Sequence, residues 1–157
     1  MSKTAVFADV QNIYYTTRQA YQRSFNYAKC WQRISAQGDI VLAHAYAIAR
    51  DDDGQKKFQQ ALKHIGFDIK LKPYIQRSDG SAKGDWDVGI TIDVLDAAPQ
   101  VDRIVLLSGD GDFDLLLRKV RREFKLPSEV YGVPGLTANS LIDAADRYHP
   151  IEQDLLL

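Results

Sequence analysis

The chain has 157 residues, of which 45% are hydrophobic and 26% charged, and its formal net charge is −1. This length and composition predict one globular domain spanning residues 1–157, with enough apolar side chains for a substantial core. The near-neutral charge excludes a generally basic surface, so binding to a nucleic acid would depend on a local patch. The single cysteine, Cys30, excludes an intramolecular disulfide and a thiolate metal cluster. Because there is also no long apolar run and no signal-peptide pattern, we expect a cytoplasmic protein without a membrane partner.

Apolar runs alternate with helical patterns along the chain. The apolar runs predict five strands, at Thr4–Ala8, Asp39–Ile48, Phe67–Ile75, Val101–Leu107 and Ser128–Val133. Between and after them, apolar periodicity and helix-ending glycines predict helices over Ile13–Ala20, Tyr27–Gln37, a segment from Arg50–Gly54 to Gly66, Asp85–Ala98, Phe113–Phe124 and Ala138–Ala145. Pro73 favours an edge position for the third strand, since proline has no N–H to donate.

The segment Asp85–Ala98 contains VGITIDVL, whose β-branched residues are also typical of a strand. Asp85 is a good helix N-cap, and two parallel strands need a crossover connection between them. We therefore predict a helix here. The resulting alternation of strands and helices predicts a three-layer α/β/α, Rossmann-like fold with a mostly parallel sheet of about five strands.

Aspartates follow two of the predicted strands. Asp9 follows the first strand, and Asp110 and Asp112 lie in the Ser-Gly-Asp-Gly-Asp sequence after the fourth. Ligands of open α/β sheets bind outside the carboxyl ends of the strands, where neighbouring strands would bring these carboxylates together. Such a cluster is destabilising without a cation. Oxygen ligands without a neighbouring His or Cys suit Mg²⁺ or Mn²⁺ better than zinc.

Other roles for these aspartates stay open. Asp112 could cap the following helix, and Asp110 could simply turn the chain. Asp85 or Asp87 would be a further ligand only if the amino end of their helix reaches the same edge of the sheet. Asp93 lies about 120° around that helix from Asp87, so it could contact the outside of the site or be satisfied in the core.

Three blocks of the sequence resemble the signature blocks of NYN domains, and particularly those of the LabA-like branch of the PIN-like nuclease superfamily. They are Phe7–Asn12 (FADVQN), Lys83–Asp93 (KGDWDVGITID) and Ser108–Phe113 (SGDGDF). Near the end of the chain, Leu141–Ile151 (LIDAADRYHPI) is similar to the closing segment of the family. The resemblance implies a Rossmann-like nuclease fold with a metal-dependent acidic pocket that acts on RNA.

Carried over by position, the resemblance implies roles for individual residues. The catalytic residues and ligands of Mg²⁺ or Mn²⁺ would be Asp9, Asp87, Asp110 and Asp112. Residues that support these ligands or position the substrate would be Asn12, Asp85, Asp93 and Ser108. Two departures from the wider superfamily pattern, the large Trp86 and the additional carboxylate of Asp85, leave the choice between Asp85 and Asp87 open.

Basic and aromatic residues near the acidic blocks are candidates for RNA contact. Cations could hold phosphates, and exposed rings could stack on unpaired bases. The candidates are Lys83, Arg77, Trp86 and Tyr14, together with Tyr15, Lys70 and Lys72. The alternatives for these residues are ordinary solvated surface and core packing.

Taken together, the sequence predicts a Mg²⁺- or Mn²⁺-dependent endoribonuclease that acts on single-stranded RNA. A non-catalytic RNA-binding or regulatory module is the alternative, because some PIN-like domains only bind. A haloacid-dehalogenase-type phosphatase fits less well, since Gln11 stands where that chemistry needs a second early acid. The oligomeric state stays open, with a homodimer among the options.

Overall fold

The computed structural model describes residues 2–49, 52–73, 75–76, 82–83 and 85–157. The six strands of its main sheet are β1 (Lys3–Asp9), β2 (Asp39–Ala49), β3 (Asp68–Pro73), β6 (Arg103–Leu107), β7 (Ser128–Gly132) and β8 (Arg147–Pro150). A short antiparallel pair is formed by β4 (Ile75–Gln76) and β5 (Ala82–Lys83). The helices are α1 (Val10–Tyr21), α2 (Tyr27–Ser35), α3 (Asp53–Ile65), α4 (Asp87–Ala97), α5 (Asp114–Phe124) and α6 (Asn139–Ala144).

All neighbouring strands of the main sheet are parallel, and their order is β3-β2-β1-β6-β7-β8. The chain starts in the middle of the sheet, builds one half outward to β3, and then returns to β6 on the other side of β1. The carboxyl ends of β1 and β6 lie side by side, with Ala8 opposite Leu107. This boundary is the topological switch point, where ligands of open α/β sheets bind.

The two central strands are buried on both faces, which explains their continuous apolar sequences. Along β1, Val6 and Ala8 belong to the hydrophobic cluster beneath α1, α2 and α3. Ala5 and Phe7 face the opposite side, where they join the cluster beneath α4, α5 and α6. The period-two alternation of the strand therefore supplies both halves of the core.

The predicted three-layer α/β/α architecture is confirmed, but the prediction of five strands is wrong because the sheet has six. The missed strand, β8, has the sequence RYHP and pairs only with β7 at an edge of the sheet. Its side chains are partly or largely exposed, so it lacks the apolar run that marks the central strands. The segment Asp87–Ala97 is helical, as expected for a crossover, and β3 lies at the other edge and ends at Pro73.

Within the described part of the chain, no helix is both long enough and apolar enough to cross a bilayer.

Candidate metal centre

Three aspartates meet at the switch point of the sheet. Each of Asp9, Asp87 and Asp110 brings a carboxylate oxygen to within 4.8 Å of the other two. Asp9 ends β1, Asp110 lies in the loop after β6, and Asp87 is the first residue of α4. Asp9 is buried, whereas the other two are partly exposed. We call these residues the acidic trio.

Asp9 is fixed by hydrogen bonds to both of its oxygens. Its Oδ1 accepts from the backbone N–H of Asn12 at 3.3 Å, as an N-cap residue does at the start of a helix. Its Oδ2 accepts from the hydroxyl of Ser108 at 3.2 Å. The carboxylate of Asp9 is therefore held between the start of α1 and the end of β6.

Local hydrogen bonds within the loop after β6 hold Asp110 in position. The backbone N–H of Asp110 donates to Ser108 Oγ at 3.1 Å, and Asp110 Oδ1 accepts from the N–H of Asp112 at 2.9 Å. Asp110 thereby caps the single-turn 3-10 helix that leads into α5. The same carboxylate turns the chain and belongs to the acidic trio, so the capping role of Asp110 does not exclude it from the cluster.

Gly109 allows this loop to pass close to another segment of backbone. A Cβ atom at position 109 would lie 2.5 Å from the carbonyl oxygen of Leu136, a distance at which the backbone would have to shift. The N–H of Gly109 donates to Asn12 Oδ1 at 2.8 Å. Glycine is therefore needed here for space, and its N–H joins the loop to the first turn of α1.

The amino end of α4 is attached to the sheet by Trp86, the residue before Asp87. Trp86 Nε1 donates to the carbonyl oxygen of Ala47 at 2.9 Å. The Lys72 ammonium lies 4.4 Å from the centre of the indole ring and donates to the Asp85 carbonyl oxygen at 3.0 Å. These contacts to β2 and β3 place Asp87 at the same edge of the sheet as Asp9.

The middle of α4 is attached to the sheet by Asp93. Its Oδ2 accepts from the hydroxyl of Tyr46 at 2.7 Å and pairs with the ammonium of Lys70 at 2.6 Å. Burial opposes ionisation of Asp93, but these two hydrogen bonds hold its pKa below the ordinary value. Asp93 is therefore occupied by a lysine and a tyrosine and does not join the acidic trio.

Burial and neighbouring negative charge oppose ionisation of the acidic trio. Burial raises the pKa of Asp9 to about 6, despite the hydrogen bonds from Asn12 and Ser108. Burial also raises the pKa of Asp87, to about 7, with further contributions from the negative charge of Asp110 and from its hydrogen bond with Asp87. Among the described ion pairs, none joins a lysine or arginine to any member of the trio. Ionising all three carboxylates is therefore unfavourable without a counter-charge.

The structure shows which of the candidate aspartates belong to the trio. Of the pair Asp85 and Asp87, only Asp87 belongs to the trio, while the exposed Asp85 accepts a 3.3 Å hydrogen bond from the N–H of Asp87. Asp112 is exposed and lies outside the trio, to which it contributes a backbone N–H for Asp110. Asn12 and Ser108 lie against the trio, where the backbone N–H of Asn12 and the hydroxyl of Ser108 both donate to Asp9.

The residues predicted to contact RNA have different surroundings. Trp86 is half-buried and packs with its ring 5.3 Å from that of Tyr46, which is a structural role. Tyr14 is 50% exposed on α1 and has a surface available for a ligand. Arg77 lies outside the described residues, and Lys83 is described only as part of β5.

Sequence reasoning missed the groups that hold α4 in place. Tyr46 has no motif around it, and the sequence indicates only phosphate contact, solvated surface or core packing for Lys70 and Lys72. The alternation of the two lysines along β3 was the available signal, because it places both on one face of an edge strand. Their partners on α4 come from a later part of the chain and could not be read from that pattern.

A parallel sheet with an acidic cluster at its switch point defines a class of α/β domain equipped to hold a divalent cation. The model of the NYN domain family matches residues 3–152, so the chain belongs to the NYN domain family, a branch of the PIN-like nuclease superfamily. The family predicted from the three sequence blocks is thereby confirmed.

Two known proteins are similar to this chain over most of its length. The low amplitude and bright protein LabA of Synechococcus elongatus is 30% identical over 158 residues, which cover 94% of this chain and 82% of LabA. A crystal structure of a protein of unknown function from Vibrio parahaemolyticus, VPA0982, is 51% identical and superposes with a TM-score of 0.95. That match covers 99% of this chain and 96% of the Vibrio protein, and it supports the architecture described above.

Proposed function

We propose that this protein is a Mg²⁺- or Mn²⁺-dependent ribonuclease that hydrolyses phosphodiester bonds in single-stranded RNA. The observation that carries the proposal is the acidic trio, in which Asp9, Asp87 and Asp110 converge without a described cationic partner. Membership of a family that includes nucleases supports the same reaction. The proposal treats residues 1–157 as one NYN domain and places it in the cytoplasm.

The donor set of the trio fits a hard divalent ion. The available donors are carboxylate oxygens, with the Ser108 hydroxyl and the Asn12 amide close by and no histidine or cysteine in the described cluster. Such donors favour Mg²⁺ or Mn²⁺ over zinc. The pKa values of Asp9 and Asp87 are raised first by burial and then by the charges of neighbouring carboxylates, and this fits as well, because a bound cation would stabilise the ionised forms.

An ion held by the trio would polarise the scissile phosphodiester and lower the pKa of a bound water, as in other metal-assisted hydrolyses. The protein contributes the placement of its ligands. Ser108 and the first turn of α1 orient the Asp9 carboxylate, and the 3-10 turn orients that of Asp110. We assign Asp112 to the outer side of the site, since its carboxylate is exposed and it lies two residues after Asp110 in the chain.

Substrate contacts are assigned by proximity to the acidic blocks. Arg77 and Lys83 are proposed to contact phosphates, because cations beside an acidic centre offset its repulsion of a polyanion. Tyr14 is proposed to stack on a base, since half of its surface is exposed. Asp85 and Asp93 are proposed to act indirectly, by holding the amino end and the middle of α4.

Cleavage of short fluorescent RNAs tests the proposal. We expect cleavage of a single-stranded oligonucleotide in Mg²⁺ or Mn²⁺ and its loss in EDTA. Asp110→Asn should reduce the rate by on the order of 100-fold, the usual effect of removing a major electrostatic group from an active centre. Asp112→Asn should cause a smaller loss, and Asp143→Asn, on the exposed side of α6, serves as the matched control.

Two results would contradict this function. RNA binding without cleavage in either metal ion would support a non-catalytic module in its place. Cleavage that survives Asp110→Asn unchanged would show that the acidic trio is not the active centre.

A further inference from the structure

A cavity of about 490 Å³ lies between α1, the end of β2 and the first turns of α3. Its lining includes Val10 and Gln11, the two residues that directly follow Asp9. It continues along α1 to Arg18. The volume falls within the range of small-molecule sites, roughly 300–1,000 Å³. We call this cavity the α1 groove.

The walls of the α1 groove combine aromatic rings with a few polar groups. Tyr14 and Tyr15 form one side and are 50% and 53% exposed, which is unusual for two adjacent large side chains. The Arg18 guanidinium lies 5.4 Å from the centre of the Tyr14 ring. On the opposite side, Asp52 caps α3 by accepting from the N–H of Gln55 at 2.7 Å. The groove therefore has a cationic, aromatic side and an acidic end.

Tyr27 supplies a hydroxyl to the wall of the groove. The residue is only 7% exposed. A tyrosine hydroxyl can both donate and accept a hydrogen bond, so in a cavity wall it is a candidate contact for a polar group of a ligand. Burial raises the pKa of Tyr27, so its hydroxyl stays protonated and able to donate at neutral pH.

We propose that the α1 groove binds a nucleoside of the RNA strand whose phosphodiester lies at the acidic trio. This proposal rests on the proposed function and adds the place where the substrate is held. Aromatic faces stack on any base, and the exposed pair Tyr14 and Tyr15 offers such faces directly beyond Asp9. Arg18 is exposed and can contact a phosphate on its side of the groove. Asp52 disfavours a phosphate beside α3, so the base points toward α3 and the backbone stays on the Arg18 side.

Binding to a labelled eight-nucleotide oligoadenylate, measured by fluorescence anisotropy in Mn²⁺, tests the groove separately from catalysis. The Asp110→Asn background, in which cleavage is expected to be on the order of 100-fold slower, limits hydrolysis during the measurement. In that background, we expect Tyr14→Ala and Tyr15→Ala each to raise the Kd about tenfold, within the effect of losing one base–aromatic stack. Tyr15→Phe keeps the ring and should bind as the parent does. Gln19→Ala, exposed on the same helix outside the groove, is the matched control.

Tyr27→Phe tests the contribution of the Tyr27 hydroxyl while keeping the ring that packs against Phe25, Phe58 and Phe67. We expect a Kd about three- to fivefold higher than that of the parent, the value of one neutral hydrogen bond. In nuclear magnetic resonance spectra, adenosine 5′-monophosphate should shift the amide signals of Thr17 and Gln55, on opposite walls of the groove.

The outcomes distinguish this inference from the proposed function. RNA cleavage with unchanged Kd values in both tyrosine-to-alanine variants would overturn the groove and leave the nuclease intact. Weaker binding in those variants, with no cleavage by the unmodified protein in Mg²⁺ or Mn²⁺, would support the groove and overturn the nuclease. A tyrosine variant that changes the oligomeric state but not the affinity for RNA would show that the groove contacts a second copy of the chain, against this proposal.

Discussion

The side-chain oxygen of Asn12 accepts a 2.8 Å hydrogen bond from the backbone N–H of Gly109, 97 residues further along the chain. Asn12 lies in the first turn of α1, three residues after Asp9, and Gly109 directly precedes Asp110. The bond therefore connects the two strand ends that carry two members of the acidic trio. The bond links α1 to the loop after β6 across the switch point. Neither of its two groups is charged, so it can be removed without changing the charge of the trio.

Asn12→Ala should show how much the hydrogen bond between Asn12 and Gly109 contributes, because the substitution leaves the charge of the trio unchanged. We expect a loss of about 1–2 kcal/mol in the free energy of unfolding, because the N–H of Gly109 is left without its acceptor. The melting temperature should fall by a few degrees, and the Kd for Mn²⁺ should rise because Asp110 is less well placed. Differential scanning calorimetry and isothermal titration calorimetry measure the two effects. Asn139→Ala, at the exposed start of α6, is the control, and an unchanged Mn²⁺ affinity in Asn12→Ala would contradict the positioning role.

Asp9→Asn should stabilise the metal-free protein at pH 7.5. The difference between the ordinary pKa of 3.8 and about 6 corresponds to as much as about 3 kcal/mol of unfavourable ionisation, which asparagine avoids. Asparagine also keeps the N-cap of α1, since its side-chain oxygen can accept from Asn12. Thermal unfolding in EDTA should therefore show a rise of several degrees in the melting temperature.

The same variant should lose the stabilisation that Mn²⁺ gives to the unmodified protein, because one ligand is missing. Asp39→Asn, at the exposed start of β2, provides a matched change of charge away from the site. A lower melting temperature of Asp9→Asn in EDTA would show that ionisation of the buried Asp9 carboxyl is not a significant cost.

The stability of the metal-free protein should depend on pH through Asp9 and Asp87. Their folded pKa values, about 6 and about 7, lie above the unfolded values, so the folded state binds more protons between about pH 4 and pH 7. Their contribution to stability is therefore complete at low pH and is lost as the pH rises through this range. Urea unfolding of the unmodified protein and of Asp9→Asn at several pH values isolates the Asp9 contribution. The burial-lowered pKa of His44 acts in the opposite direction, but it is present in both proteins and cancels.

Binding of Mn²⁺ should have the reverse dependence on pH. The ligands must be deprotonated, so the affinity should increase as the pH rises from about 5 to about 7 and then level off. Titration calorimetry in two buffers of different ionisation enthalpy measures the protons released with the ion. Binding without proton release at pH 6 would contradict the raised pKa values.

The positions of Asp9 and Asp110 could be predicted from the sequence because they follow apolar strands. Carboxyl ends of parallel strands lie at one edge of the sheet, so the prediction needed only the two strands to be neighbours. The structure pairs β1 with β6 and meets that condition. The resemblance to the NYN family added Asp87, whose placement depends on where a helix begins relative to the sheet.

The membership of the acidic trio could not be predicted, since it depends on contacts between distant segments. Asp85 and Asp87 are equivalent by spacing, and the structure brings only Asp87 into the trio, at the start of a helix that is attached to the Ala47 carbonyl through the indole of Trp86. Asp112 follows the D-x-D pattern, but the tight 3-10 turn leaves its side chain exposed. The periodicity and the motifs of the sequence indicate which residues lie near the site. Hydrogen bonds between distant segments determine which of these residues belong to the trio.

Asp93→Asn tests whether the attachment of α4 to the sheet matters for the trio. The substitution removes the ion pair with Lys70 and weakens the hydrogen bond from Tyr46, both made by the same carboxylate oxygen. We expect a loss of about 1.5–3 kcal/mol, the value of hydrogen bonds to a charged group that is largely shielded from water. Because Asp87 lies on the same helix, the Kd for Mn²⁺ should also rise, while Asp96→Asn, on the exposed face of α4, should change neither quantity. A destabilised Asp93→Asn protein with unchanged Mn²⁺ affinity would limit Asp93 to the fold and leave the position of Asp87 to the Trp86 contacts.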